Sequence, residues 1–202
     1  MISINFKENE KLHNFLIGSR FGDGAFVKKS ENHNTYIVFK HSDSQYDYLK
    51  WKYDFLKNNN LLKESKEIKQ NKMIGCYQTT HSQYYFSTKS FSELNYYKNN
   101  NFTTLFEDLD WFGLIIWIFD DGSFMDNKIC KLTLPNKTLE EKYLVVNTLS
   151  RKFKLDCYIY EYDKNHSKDN VVIRGNNYQT IYEKAIKYLP ENIVKEKMNY
   201  GN

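Results

Sequence analysis

The sequence predicts an α+β protein made of two pseudo-symmetric halves, each of order α-β-β-α-β-β-α. Three observations carry this. A short pattern occurs twice, as Leu16-Ile17-Gly18-Ser19-Arg20-Phe21-Gly22-Asp23-Gly24 and as Leu114-Ile115-Ile116-Trp117-Ile118-Phe119-Asp120-Asp121-Gly122. Each copy is a mostly apolar run that stops at Asp-Gly and is followed by a small residue and Phe. Asp121 comes 98 residues after Asp23, close to half of the 202 residues. A duplicated unit with a duplicated terminal carboxylate points to two half-domains about a pseudo-two-fold axis, with both acids near it. The second observation is a set of four capping-box patterns, Ser42-x-x-Gln45, Ser90-x-x-Glu93, Thr104-x-x-Glu107 and Thr138-x-x-Glu141. Such boxes mark helix starts, because the two side chains satisfy N–H groups that the first turn leaves open. The third is a set of strand-like stretches after each motif, some with period-2 alternation.

The elements follow in order. The second motif run reads as a helix over 107–121, entered from the third capping box, and by symmetry the first covers 8–23. Residues 25–29 and 35–40 flank the polar turn Ser30–Asn34 and read as a hairpin. Thr35, Ile37 and Phe39 there alternate with Tyr36, Val38 and Lys40. A helix over 43–56 follows, then a second hairpin from 72–80 and 84–88, and a helix over 91–98. The second half repeats this with strand material over 123–134, a helix over 139–153, strands over 155–162 and 170–174, and a helix over 178–188. Asn99-Asn100-Asn101 is the plausible joint, so the halves divide as 1–101 and 102–202.

Composition bounds the function. Hydrophobic content of 41% with 27% charged residues describes a folded globular chain long enough to bury a core. Net charge of +4 and a pI of about 8.7 permit a polyanionic partner without demanding one. Three scattered cysteines, Cys76, Cys130 and Cys157, form no CxxC pair, which argues against a disulfide framework or zinc ribbon and fits a reducing, intracellular setting. The 17 Tyr and 14 Phe, with abundant Lys and Asn, suit an AT-rich genome: a phage, a low-GC bacterium or an organelle. The N-terminus lacks the apolar core of a secretory signal. The run Trp111–Phe119 is far short of the roughly 20 apolar residues that span a bilayer, so no membrane association is expected. The five histidines, His13, His33, His41, His81 and His166, show no ligand spacing and receive no metal or general-base role.

The repeated motif carries the chemistry. Gly18 and Gly22, four residues apart, open a groove on the first helix where another backbone can approach. A second helix packed there brings Asp23 and Asp121 close, at the electronegative C-terminal ends of two helices. That arrangement is costly unless a cation bridges it. Hard divalent ions such as Mg²⁺ suit such oxygen ligands and can activate water for phosphodiester hydrolysis. A lone Asp-Gly after an apolar helix is ordinarily a turn; two matched copies leading into strand are what raise the catalytic reading above that.

These two motifs resemble those of a single-chain LAGLIDADG homing endonuclease. The resemblance extends to Tyr48-Leu49-x-x-Lys52, to Thr138-Leu139-Glu140-Glu141 and to the tail from Pro190 to Lys197. It implies motif helices at the interface between the halves and two four-stranded sheets forming a β-saddle in the DNA major groove. It also implies a staggered double-strand break in a long, asymmetric target. Asp23 and Asp121 would be the catalytic metal ligands, with carbonyls of Gly22 and Asp120 adding donors, and Mg²⁺ (or Mn²⁺ in its place) as cofactor. Lys98 and Lys197, 75 and 76 residues after the two acids, match the family's active-site lysines. For the first, an Asn of Asn99–Asn101 is the competing alignment. Gln45 resembles an active-site polar residue that positions water, and is equally a capping-box residue. The second motif departs from the consensus at Ile116, where a small residue is usual, so packing there is either looser or complementary to Gly18.

On this reading, strand alternation nominates DNA-binding residues: Lys28, Tyr36 and Lys40 in the first half, and Lys131, Tyr158, Tyr160 and Arg174 in the second. Lys and Arg neutralise phosphates, and Arg reads guanine edges. With both motifs on one chain, a monomer is expected, free-standing or intron-encoded. The same scaffold also serves group I intron RNA maturases and non-catalytic DNA-binding proteins, which stand as the alternatives.

Overall fold

A computed structural model of the chain describes residues 6–74, 80–125, 128–134, 137–160 and 170–198. It contains two four-stranded antiparallel sheets, ordered β1-β2-β4-β3 and β5-β6-β8-β7. The chain divides into two compact units. One comprises Met1–Leu16 with Asp23–Asn100, and the other Ile17–Gly22 with Asn101–Asn202.

The first unit begins with α1 (Glu10–Phe21), started by Asn9, whose Oδ1 accepts from Leu12 N. Strands β1 (Ala25–Val27) and β2 (Tyr36–Ser42) form the expected hairpin, with Phe26 opposite Ile37. A single 3-10 turn, Asp43–Gln45, leads into α2 (Tyr46–Asn58), which buries Tyr48, Leu49, Lys52 and Leu56 at helical spacing. Strands β3 (Lys69–Ile74) and β4 (Thr80–Ser87) follow, then α3 (Leu94–Asn99). An aromatic core joins these pieces: Phe15 stacks on Phe55 at 4.6 Å and meets Phe39 at 6.1 Å, and Phe39 lies 5.2 Å from Phe86.

The second unit repeats the order with additions. It holds α4 (Phe102–Asp108), α5 (Trp111–Asp121), β5 (Gly122–Phe124), β6 (Cys130–Thr133), α6 (Leu139–Lys152), β7 (Cys157–Tyr160), β8 (Asn170–Ile173), α7 (Tyr178–Tyr188) and α8 (Glu191–Met198). The long helix expected over 107–121 is broken. Asp110, in extended backbone, caps α5 by accepting from Gly113 N, so Glu107 lies in the last turn of α4 instead of continuing into the next helix. Of the four capping boxes, Thr138–Glu141 forms as a reciprocal pair. Asn101, not Thr104, caps α4, and neither Ser42 nor Glu93 caps through its side chain. In the second hairpin β3 pairs with β4, and residues 80–84, expected to hold the turn, belong to β4. The tail expected only by resemblance is a helix, α8. Cys76 and His166 lie outside the described residues.

The C-terminal part of α1 belongs to the second unit because of two glycines. A Cβ at Gly18 would overlap the carbonyl oxygen of Gly113 and stand 2.8 Å from Ile116 Cβ. Ile116 therefore fills the room that Gly18 leaves: the departure from the motif consensus is complementary packing, not looseness. Phe21 completes the seam against Phe102, Phe106 and Trp117 at 4.7, 5.8 and 5.3 Å. Beneath it Ser19 Oγ and Trp117 Nε1 are buried without a hydrogen-bond partner. Among the described residues no helix is long and apolar enough to cross a membrane.

Two outcomes follow from this packing. Gly18→Ala forces backbone apart and is expected to cost about 2 kcal/mol or more, read as a Tm lowered by roughly 5–10 °C. Ser19→Ala removes a buried orphan hydroxyl and is expected to raise stability by about 1 kcal/mol in urea unfolding; a loss of stability would mean that the hydroxyl is hydrogen-bonded in solution.

Candidate active site and nucleic-acid interface

In the first unit, α1 ends at Phe21 and the turn Gly22-Asp23 leads into β1, so Asp23 stands at the electronegative end of a helix. Its side chain is 35% exposed and its Oδ2 lies 3.6 Å from Nδ1 of His41, whose side chain is fully buried. The register of β2 explains this: Ile37, Phe39 and His41 all face inward, opposite the outward Tyr36, Val38 and Lys40. Nδ1 of His41 also lies 3.2 Å from Gln45 Oε1. Gln45 holds the N-cap position of α2 but makes no side-chain cap hydrogen bond; its side chain faces His41 instead. His41 escaped the sequence reading because that reading sought His–His or Cys–His spacing. The inward parity of β2, ending near the acid, is the signal that would have found it.

Lys98 Nζ donates to the carbonyl of Phe26 at 3.0 Å. Phe26 is three residues past Asp23, so the lysine at the end of this unit returns to the strand that leaves the acid. The second unit repeats the relation more loosely. Lys197 is half-buried, and its charge acts on the thiol of Cys130, which burial pushes up to about 12. Cys130 is the strand partner of Phe124, three residues past Asp121.

Asp121 ends α5 and is half-buried. Asp120 is buried, at 8% exposure, and takes the space that Gly22 leaves: a Cβ on Gly22 would overlap Asp120 Cβ and stand 2.5 Å from its Oδ2. The side chain of Asp120, expected to matter through its carbonyl alone, is therefore a packing partner of Gly22.

Each sheet has one apolar face and one polar face. In the first, register puts Tyr36 and Lys40 on the outer face with Lys69, Asn71, Gln83 and Tyr85. Lys69 and Asn71 were not anticipated, because β3 has no apolar alternation to mark it; Gln83 and Tyr85 lie on β4. Lys28 falls one residue past β1, out of the alternation that carries Tyr36 and Lys40. In the second sheet Lys131 opposes Val172, which opposes Tyr158, and Tyr160 opposes Asn170 on the same face. Lys131 Nζ lies 5.4 Å from the Tyr160 ring centroid. The guanidinium of Arg174 sits 4.6 Å over Tyr158 and pairs with Asp156 at 3.2 Å. Both cations thus lie within cation–π distance of a tyrosine ring on that face.

A family model for the LAGLIDADG DNA endonuclease family matches residues 13–181. The chain belongs to that family. By membership it is a DNA-cleaving hydrolase, and both repeated motifs fall inside the matched span. Solved structures share its fold. The homing endonuclease I-WcaI bound to its DNA recognition sequence is 21% identical, with a TM-score of 0.76, over 94% of this chain and 86% of that one. I-DmoI in complex with DNA and Mn is 16% identical, with a TM-score of 0.53, over 87% and 96%. The N-terminal LAGLIDADG domain of DUF199/WhiA is 16% identical, with a TM-score of 0.53, over 96% and 90%. A sequence search of curated proteins gives no match.

The second sheet's outer face generates a test. Lys131→Ala and Arg174→Ala are each expected to weaken binding to duplex DNA and to reduce the slope of log Kd against log salt by about 1. Unchanged slopes in both variants would remove this face from the interface.

Proposed function

We propose that this chain is a site-specific homing endonuclease that hydrolyses one phosphodiester in each strand of a long, asymmetric duplex target, leaving a staggered double-strand break. The observation that carries the reading is the matched layout of the two units. In each, an acid ends or closely follows a motif helix; Lys98 donates to the carbonyl three residues past Asp23, and the charge of Lys197 acts on Cys130, the strand partner of the residue three past Asp121. The halves act as 1–101 and 102–202, and a chain that carries both works as a monomer. Asymmetry of the target follows from the different outer faces: Tyr36, Lys40, Lys69 and Tyr85 on one sheet, Lys131, Tyr158, Tyr160 and Arg174 on the other. Those faces read DNA through the major groove, with Lys and Arg on phosphates and purine edges.

The donors suit a hard divalent ion. Asp23 and Asp121 are part-exposed carboxylates, and carboxylate oxygens fit Mg²⁺ or Mn²⁺ better than a soft metal. Asp23 with the Gly22 carbonyl, and Asp121 with the Asp120 carbonyl, are the residues that would hold it. When bound, the ion supplies Lewis acidity to the scissile phosphate and to the attacking water. The chain's own groups do the rest. Lys98 and Lys197 offer positive charge where the leaving oxygen gains negative charge. Gln45 orients water through its amide. The setting is inside the cell, where duplex DNA and reduced cysteines coexist.

Asp23→Asn and Asp121→Asn are each expected to lower double-strand cleavage by at least about 1000-fold with Mg²⁺ while DNA affinity holds within a few fold, and EDTA is expected to stop the wild-type reaction. Metal-dependent cleavage retained by both variants would sink the assignment. Tight binding to intron RNA, indifferent to both substitutions and without DNA cutting, would replace it with a maturase.

A further inference from the structure

Lys52 is fully buried on the core-facing side of α2, at a position where Leu49 and Leu56 mark an apolar stripe. Its Nζ lies 3.2 Å from Nε2 of His41, 4.5 Å from the Tyr48 ring centroid and 5.1 Å from that of Phe39. Such burial is costly for an amine and needs a compensating partner. The opposite nitrogen of the same imidazole, Nδ1, faces Gln45 Oε1 at 3.2 Å and Asp23 Oδ2 at 3.6 Å. Four side chains from α1's end, β2, the 3-10 turn and α2 thus form one line, from Lys52 through His41 to Gln45 and Asp23.

Donor logic orders this line. A lysine ammonium donates and cannot accept, so Nε2 of His41 must accept from it. A neutral imidazole that accepts at Nε2 carries its proton on Nδ1. Nδ1–H then donates to Gln45 Oε1, with the Asp23 carboxylate as the next acceptor. Gln45 alone could not impose this, because its amide can turn and present either end. With Oε1 held by His41, its –NH₂ is the end that remains to donate to a water or a phosphate oxygen.

We propose that Lys52 and His41 are positioning residues. Lys52 fixes His41 in the Nδ1–H tautomer, and His41 in turn fixes which end of Gln45 and which oxygen of Asp23 face the cleavage centre. This deepens the endonuclease reading and rests on it for the consequence, but not for the tautomer itself. The pattern is that of outer partners that orient the groups doing chemistry; loss of one ordinarily costs 10- to 100-fold in activity.

The test has two readouts. Long-range ¹H–¹⁵N correlation spectra of the free full-length protein report the His41 tautomer directly. The expected wild-type spectrum shows the proton on Nδ1, and Lys52→Met, of similar volume, is expected to bring up the Nε2–H form. A wild-type spectrum showing Nε2–H overturns the proposal without any variant; so does a folded Lys52→Met whose imidazole signals are unmoved. In single-turnover cleavage, Lys52→Met is expected to lose about 10- to 100-fold in rate with DNA affinity and Tm held. Loss of affinity or of Tm in proportion to the rate would assign Lys52 a purely structural role. If the wild-type protein cuts no DNA, the endonuclease reading fails while the spectra still decide the tautomer.

Discussion

The backbone-to-backbone contact between the end of α1 and α5 is the constraint on which the rest depends. Gly18 lies against the carbonyl of Gly113, and Ile116 enters the space that a side chain at Gly18 would need. Contact this close leaves no slack along the helix axes. Asp121, at the end of α5, is thereby set by packing and not by loop conformation.

The same packing breaks the pseudo-symmetry of the repeat. Gly22 and Asp120 occupy matching motif positions, yet one is bare backbone and the other is a carboxylate seated against it. Ile116 answers Gly18 in the same way. A symmetric dimer would need one residue to be acceptable on both sides of such a contact. A single chain can divide the volume unequally, large against none, and its two sheets are equally free to diverge into the unlike outer faces seen here.

Electrostatics opposes this architecture and is answered locally. A carboxylate at a helix C-terminus faces the negative end of the dipole, so each acid needs positive partners. Lys98 donates to the carbonyl of Phe26 on the strand beyond Asp23, and in the second unit the charge of Lys197 acts on Cys130, opposite Phe124 on the strand beyond Asp121. In the first unit a further cation, Lys52, is kept from the acid by an intervening imidazole and passes on its directionality rather than its charge.

Much of this was legible in the sequence, because the period-2 and Asp-Gly signals are local. The two motifs, the order of strands and helices, the Thr138 cap and the placement of Lys40, Lys131, Tyr158 and Tyr160 on outer faces all come from alternation and spacing that a few neighbouring residues determine. What neighbours cannot determine was decided by tertiary structure. Asp110 breaks the second motif helix from its approach because its side chain finds Gly113 N. The Gln45 side chain leaves the helix start for His41 because β2 delivers that imidazole beside it. Lys52 is buried because an imidazole and two aromatic rings are there to receive it. Each of these outcomes depends on a partner from a different element, so the residue types were written in the chain while their roles waited on which surfaces packed together.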